Sequence, residues 1–83
     1  MRLDLLLKQS GIIKRRTVAK ALAENGKISI NGKVAKPSSE VKEGDTLLLI
    51  LGSHLIEVEI HYELKGKREI PTFTLIRKET NNA

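Results

Sequence analysis

The chain has 83 residues, and its 15 lysines and arginines against 10 aspartates and glutamates give a formal net charge of +5. A chain of this length forms one domain with a small core, which leaves little room for a deep catalytic cleft. It contains no cysteine, which excludes a disulfide framework, a thiolate metal site and a thiol nucleophile.

The chain is predicted to begin with two short helices. In the first, Leu3, Leu6 and Leu7 recur at helical spacing, and Gly11 suits the left-handed end of a helix. The second helix is predicted from about residue 15 or 16 to residue 25. Its expected apolar stripe consists of Val18, Ala19, Leu22 and Ala23.

After Gly26 the apolar period changes to two residues, which predicts strands. Asn31-Gly32 lies between two such runs and is the sequence most typical of a type I′ hairpin turn. Further strands are predicted at residues 46–51, 54–62 and 72–76. The apolar run at 46–51 indicates burial on both faces, or a helix packed over one face. Residues 78–83 are polar and lack periodicity, so they are predicted to form a flexible tail.

Basic residues are concentrated in the first part of the chain. Residues 1–36 carry nine basic and two acidic side chains, whereas residues 37–83 carry six basic and eight acidic side chains. This division is typical of a one-sided surface that binds a polyanion. A solvated, lysine-rich face that serves solubility would have the same composition, so charge alone leaves both interpretations open.

The positions of the cations favour polyanion binding. Lys14, Arg15 and Arg16 stand at the predicted start of the second helix, where the helix dipole disfavours each cation by roughly 0.3–1 kcal/mol. A phosphate bound there would explain the placement, because free backbone amides and the dipole both favour an anion. Arg16 and Lys20 are one turn apart and share a face. The opposing interpretation is a solvated helix start in which Lys20 pairs with Glu24.

An ordered set of residues over positions 1 to about 50 resembles the RNA-binding domain named after ribosomal small-subunit protein four, the S-four domain. The set is Arg2-Leu3-Asp4, Leu7, Gly11, Arg16, Ala19, Gly26, Ile28, Ile30, Asn31-Gly32, Val41 and Gly44-Asp45. The resemblance implies an α+β fold, with two N-terminal helices packed on a small, twisted, mostly antiparallel sheet and a strand-rich C-terminal extension. On this basis we predict a single S-four-like domain over residues 1–77. This chain departs from the family in having Arg15 where a Ser or Thr is usual, which removes a small helix cap.

The whole chain is similar to the small bacterial S-four proteins of ribosome-associated quality control, the RqcP (YabO) type, which are similar to heat-shock protein fifteen. The similarity rests on the short chain, its strand-rich extension, and the segments Ile13-Lys14-Arg15-Arg16-Thr17 and Lys36-Pro37-Ser38-Ser39. It implies binding to a stalled large ribosomal subunit, between ribosomal RNA and the peptidyl-tRNA. It also implies support of a partner factor that extends C-terminal tails on the nascent chain.

The predicted RNA-binding residues are Arg2, Lys8, Lys14, Arg15, Arg16, Lys20, Lys33 and Lys36. Among them, the family resemblance implies contacts by Arg2, Arg16 and Lys20. We expect recognition of phosphates and of RNA shape, because the single Tyr and single Phe lie on predicted strands in the nonbasic half. The cations at residues 65–68 are expected to matter less. Asp4 is expected to be structural, by capping the first helix or orienting an arginine, with an indirect effect on RNA binding.

No catalytic residue, metal or cofactor is predicted. His54 and His61 differ in strand parity and have no nearby ligand pattern. Expected partners are large-subunit ribosomal RNA, tRNA and a tail-elongating quality-control factor. No membrane partner is expected, because the longest apolar run covers only residues 47–51 and no signal peptide is recognisable. The protein is predicted to be cytoplasmic, ribosome-associated and monomeric when free.

Three classes of function remain open. The first is a noncatalytic RNA-binding factor, in which a rescue factor like heat-shock protein fifteen is the alternative to the quality-control role. The second is an RNA-modifying enzyme, for which the chain leaves no room for a catalytic domain. The third is a protein-interaction module whose charge serves solubility. Steep salt dependence of binding would favour the first class over the third, and turnover of RNA would favour the second.

Overall fold

The computed structural model describes residues 1–80, which form an α+β fold of two helices and one five-stranded sheet. The elements are α1 (Leu3–Gln9), α2 (Arg16–Glu24), β1 (Ile28–Ile30), β2 (Lys33–Val34), β3 (Thr46–Leu51), β4 (His54–Lys65) and β5 (Arg68–Thr80). Neighbouring strands pair antiparallel in the order β2-β1-β3-β4-β5. The predicted fold class is confirmed. Neither helix within residues 1–80 has the length and apolar character needed to cross a membrane.

Helix α1 forms around its leucines. Leu3, Leu6 and Leu7 are fully buried, as their spacing predicts. Asp4 lies in the first turn, where a negative charge suits the positive end of the helix. After the helix, Gly11 has a φ of +81°, a left-handed conformation that a residue without a Cβ adopts at low cost. The start and end of α1 therefore follow from its own sequence.

Helix α2 packs into the core through two alanines. Ala19 and Ala23 are buried, and their small side chains allow a close approach to α1. Leu22 is half-buried, and Val18 is 45% exposed. The prediction that Val18 belongs to the core stripe is therefore wrong. Val18 is rotated by about 100° from Ala19 on the helix, which turns it towards solvent.

The hairpin between β1 and β2 has the predicted two-residue turn. Asn31 and Gly32 have φ values of +50° and +86°, the positive values that a type I′ turn requires. The side-chain oxygen of Asn31 accepts a hydrogen bond from the amide of Thr46 at 2.9 Å, and its amide group donates to Asp45 at 3.0 Å. These bonds fasten the turn to the start of β3.

The helices cover one face of the central strands. On β3, Leu47 and Leu49 are fully buried, whereas Ile50 is 37% exposed. On β4, Val58 and Ile60 are buried in the same core. Of the two arrangements predicted for β3, coverage of one face is therefore correct.

Strands β4 and β5 form a long hairpin that closes through a two-residue turn at Gly66-Lys67. The predicted last strand of 72–76 is too short, because β5 runs from Arg68 to Thr80. Pro71 lies within β5, which is compatible with its position on an edge strand. The predicted tail is wrong for residues 78–80, whose backbone pairs with β4 although their side chains are polar. Residues 81–83 of that tail lie outside the described residues.

The segment between β2 and β3 is fastened to the beginning of the chain. The amide of Leu3 donates to the carbonyl oxygen of Ser39 at 2.8 Å, and the amide of Val41 donates to that of Met1 at 2.9 Å. The ammonium group of Met1 also pairs with Glu40 at 2.6 Å. The position of the first residues is therefore set by a distant part of the sequence.

The same segment is fastened to β4 through a histidine. Nδ1 of His61 lies 2.6 Å from Oε2 of Glu43, and its Nε2 lies 2.9 Å from Oε1 of Glu59. The hydrogen bond with Glu43 and the two carboxylate charges outweigh partial desolvation and raise the pKa of His61 above its ordinary value of 6.5. Hydrogen bonds from the amide of Tyr62 and from His61 lower the pKa of Glu43. Nowhere in residues 1–80 do three histidine or carboxylate side chains form a metal-binding group.

We expect the free energy of unfolding to decrease as the pH rises through the raised pKa of His61. Folding favours the protonated imidazole, so its contribution is complete below about pH 6.5 and is lost above the folded-state pKa. Urea unfolding at about pH 5.5 and about pH 8.5 measures this difference. The His61→Gln variant does not titrate at this position and should show a flatter pH dependence. The same pH dependence in both proteins would contradict this role of His61.

Candidate nucleic-acid interface

A buried carboxylate joins the starts of the two helices. Asp4 is 2% exposed, and its Oδ1 accepts a hydrogen bond from the amide of Leu5 at 2.8 Å. Arg2 donates to both carboxylate oxygens, from Nε at 3.1 Å and from Nη2 at 3.2 Å, which is the two-point geometry of a guanidinium on a carboxylate. Arg16 reaches Oδ2 from the start of α2 at 3.5 Å. Asp4 therefore holds one arginine at the start of each helix: Arg2 before α1 and Arg16 in α2.

Asp4 remains ionised at neutral pH. Burial raises the pKa of its carboxyl group, but the hydrogen bonds from Arg2 and Leu5 and the charges of both arginines outweigh burial. The pKa of Asp4 is consequently below its ordinary value of 3.8. The resulting negative charge lies between Arg2 and Arg16 and reduces the repulsion between them.

Both arginines keep capacity for an external ligand. The side chains of Arg2 and Arg16 are 51% and 48% exposed. A guanidinium has five N–H donors, and Asp4 accepts only part of this set. The remaining donors suit phosphate oxygens, because the planar fork of arginine matches them.

Arg2 also borders a groove between α2 and the chain that follows β2. The groove has a volume of about 650 Å³ and is lined by Arg2, Lys20 and Lys36, together with Glu24 and Ser38. Three of the predicted cations therefore meet in one place, and Arg16 joins them through Asp4. We call Arg2, Arg16, Lys20 and Lys36 the cationic surface.

Besides Arg16, which contacts Asp4, four more of the predicted residues do not line this groove: Lys8, Lys14, Arg15 and Lys33. All four are exposed. Lys8 lies one helical turn beyond Asp4 and therefore on the same side of α1. Lys14 and Arg15 directly precede α2, and Lys33 lies beside the hairpin turn. Their contribution to the interface stays a prediction.

Arg16 shares Asp4 with Arg2, but the other cations around the start of α2 are not neutralised within the described residues. Within residues 1–80, Lys14, Arg15 and Lys20 make no ion pair within 4 Å. The pairing of Lys20 with Glu24, which the opposing interpretation requires, is therefore not formed. The first turn of α2 has no acidic residue, and no side chain caps it. These features keep the positive potential that would attract a phosphate.

Two polar residues that line the groove were not among the predicted site residues. Glu24 and Ser38 line the groove beside Lys20 and Lys36. In the sequence, Glu24 could have been associated with the site because it lies one helical turn after Lys20. Ser38 could have been associated with it because it lies two residues after Lys36, across a proline. Neither signal shows without the structure that the two segments face each other.

A family model of the S4 domain matches residues 1–47, which extend from α1 to the start of β3 and contain the whole cationic surface. The chain belongs to the S4 domain family. This membership confirms the resemblance that the ordered residues of the first half indicated.

Relatives of this S4 domain chain include proteins named RQC P-site tRNA stabilizing factor. The one from Bacillus subtilis is 50% identical over 82 residues, which cover 95% of this chain and 94% of that protein. The one from Halalkalibacterium halodurans is 48% identical over 81 residues, which cover 95% and 92%. The narrower resemblance to the quality-control group is thereby confirmed.

The chain is also similar to heat shock protein 15. A homolog of that protein from Haemophilus influenzae is 34% identical over 83 residues, which cover 100% of this chain and 63% of that protein. The solved structure of heat shock protein 15 from Vibrio cholerae, described as trimeric, has a TM-score of 0.72 and 29% identity, and the match covers 89% of this chain and 81% of that one. The two helices and the antiparallel sheet are therefore a fold shared with this protein.

Proposed function

We propose that this S4 domain chain is a noncatalytic RNA-binding factor of ribosome-associated quality control. It binds ribosomal RNA and peptidyl-tRNA on stalled large ribosomal subunits and supports the elongation of C-terminal tails on the nascent chain by a partner factor. Its place of action is the ribosome in the cytoplasm. The name shared by its relatives, RQC P-site tRNA stabilizing factor, supports the tRNA contact and the quality-control role.

One observation carries the RNA-binding part of the proposal. Arg2 and Arg16 converge on the buried Asp4 while about half of each side chain stays exposed. Asp4 fixes the two guanidinium groups before a ligand arrives, so binding loses less side-chain entropy than it would with two free arginines. Lys20 and Lys36 extend the same surface along the groove. The arrangement can position folded RNA through its phosphates without making or breaking a bond.

A rescue factor like heat shock protein 15 is the second candidate. It is favoured by the 34% identity that extends over this entire chain, although the match spans only 63% of that relative. The state of the bound tRNA distinguishes the two candidates. The quality-control role requires a peptidyl-tRNA held while the nascent chain is extended.

The experiment that tests the proposal is sedimentation of C-terminally tagged protein from cell extract, followed by identification of the RNA that co-purifies. We expect large-subunit ribosomal RNA together with tRNA. The Arg16→Ala variant in the same extract is the control for contacts made through the cationic surface. Recovery of small-subunit RNA, or of no RNA above the level of an unrelated basic protein, would contradict the proposal.

We expect binding to RNA to depend steeply on salt. Five phosphate contacts give a slope of log K against log salt of about −3.5 to −4.5. Raising the salt concentration about fourfold should then weaken binding on the order of a few hundred-fold. Titrations of purified large subunits at several salt concentrations measure the slope. A flat response would favour the protein-interaction module instead.

A further inference from the structure

The turn of the β4–β5 hairpin carries a second group of cations. Lys65 and Arg68 are directly paired across the two strands, and Lys67 lies in the turn between them. All three are exposed, and we call them the hairpin tip. Like charges directly opposite each other on neighbouring strands are destabilising. Within residues 1–80 none of the three makes an ion pair within 4 Å, although Glu63 and Glu69 are close in sequence.

The hairpin tip lies beyond the central sheet. Strand β3 pairs with β4 only up to Glu59, and Ile60 and Tyr62 still pack in or against the core, so only residues 63–65 of β4 extend past it. Three residues of strand correspond to about 10 Å, and the molecule is 47 Å in its longest dimension. The cations are thus placed at the end of an extended arm, where they contribute nothing to the central core.

The extended arm lies beside the first residues of the chain. Leu64 and Glu69 line a groove of about 370 Å³ together with Met1, Glu40 and Glu43. Met1 is adjacent to Arg2 in the chain, so this groove separates the hairpin tip from the cationic surface. The groove is also lined by Lys42. Its three carboxylates exceed its two positive groups, Lys42 and the Met1 ammonium that pairs with Glu40, by one charge, and this excess disfavours a phosphate between the two groups of cations. The arrangement suits two separate rows of phosphates, which a double-helical segment of RNA presents on either side of a groove.

We propose that the hairpin tip is a second contact for the phosphate backbone of the folded RNA that the cationic surface binds. This inference rests on the proposed function and adds to it a second point of attachment. Leu64, which is 74% exposed beside the tip, gives an apolar contact at the same place. Two separated contacts fix the orientation of the protein on the RNA, which a single contact does not.

The test compares two variants that lose the same charges. The tip variant is K65Q/K67Q/R68Q, and the matched control is K27Q/R77Q/K78Q, which also replaces two lysines and one arginine, at exposed positions that belong to neither the cationic surface nor the hairpin tip. Binding to purified large ribosomal subunits carrying P-site tRNA is measured between about 50 and 200 mM salt. We expect the tip variant to bind about tenfold more weakly at about 0.1 M salt, with a salt slope shallower by about 2. The control should lose about twofold or less, and circular dichroism checks that both variants are folded.

The outcomes separate this inference from the proposed function. Equal binding by the tip variant and its control, with Arg16→Ala still weakened, would overturn the hairpin contact and leave the proposed function standing. Weak binding by the tip variant, with Arg16→Ala unaffected, would support the hairpin contact and overturn the assignment of the cationic surface. Loss of tail elongation with unchanged binding to subunits would show that the tip meets a protein and would overturn its role in RNA binding. If the triple variant fails to fold, Lys67→Gln alone should reduce the slope by about 0.7, and an unchanged slope would overturn the contact.

Discussion

Replacing Arg16 by alanine is expected to weaken binding to large ribosomal subunits by about ten- to a hundredfold, and Arg2→Ala should have an effect of similar size. Hydrogen bonds to a charged group contribute about 1.5–3 kcal/mol each, which corresponds to this loss. For Arg16→Ala the free energy of unfolding should change by only about 1 kcal/mol or less, because the side chain is about half exposed and Asp4 keeps its hydrogen bonds from Arg2 and Leu5. Arg2→Ala deprives the buried carboxylate of its two-point partner and should lower the free energy of unfolding by about 1–3 kcal/mol. Binding is measured by sedimentation with purified subunits, and stability by thermal unfolding.

Arg77 offers a matched control for this experiment. Its side chain is also 48% exposed and also forms ion pairs, with Glu57 and Glu79, but it lies on β5 away from the cationic surface. We expect Arg77→Ala to leave subunit binding nearly unchanged. If Arg16→Ala lost binding only in proportion to a loss of folded protein, Arg16 would be a structural residue.

Replacing Asp4 by asparagine is expected to weaken RNA binding although it makes the protein more positive. The variant loses the negative charge that holds Arg2 and Arg16 together. The two guanidinium groups then repel each other and must be ordered by the ligand, which should reduce affinity about tenfold. Loss of a buried, hydrogen-bonded charge should also lower the free energy of unfolding by about 1–3 kcal/mol. Binding is therefore measured at a temperature at which thermal unfolding shows the variant to be folded.

Glu24→Gln is the control that distinguishes positioning from net charge. Glu24 lines the groove beside Lys20 and Lys36, and its replacement changes the net charge by the same amount as Asp4→Asn. Within residues 1–80 it makes no ion pair, so no arginine is released. We expect Glu24→Gln to bind RNA as well as the unmodified protein or more tightly. Tighter binding by both variants would show that Asp4 does not act by positioning the arginines.

The parts of the fold that the sequence predicts are those determined by neighbouring residues. The leucines of α1 and the Asn31-Gly32 turn each carry their own signal, since spacing and positive φ preferences are local properties. The length of β5 is not determined by neighbouring residues in the sequence. Residues 78–80 are polar and exposed, and they form strand because the backbone of β4 is there to pair with them. The prediction for Val18 is wrong for the same reason, because the side of α2 that faces the core depends on how α2 packs against the rest of the protein.

The candidate site is predicted in its composition and only partly in its arrangement. Charge patterning identifies Arg16 and Lys20 as neighbours because both lie on one helix. The approach of Lys36 to Arg2 depends on the course of the chain after β2, and the contact of Asp4 with Arg16 spans twelve positions. Spacing along a sequence does not report such contacts. For this reason the sequence indicates an arginine partner for Asp4 but not that it has two.

We expect the hydrogen bonds that fasten Met1 and Leu3 to the segment around Ser39 and Val41 to determine when the protein becomes able to bind RNA. They join residues about 40 positions apart, and closing a loop of that length carries an entropic cost that α1 alone does not meet. Arg2 directly precedes α1, so its orientation is fixed only once this loop has closed. An early folding intermediate or a locally opened molecule can retain both helices and still lack a formed recognition surface. Affinity for RNA is thus coupled to the integrity of the closed chain, and excising the helices as a peptide would not preserve it.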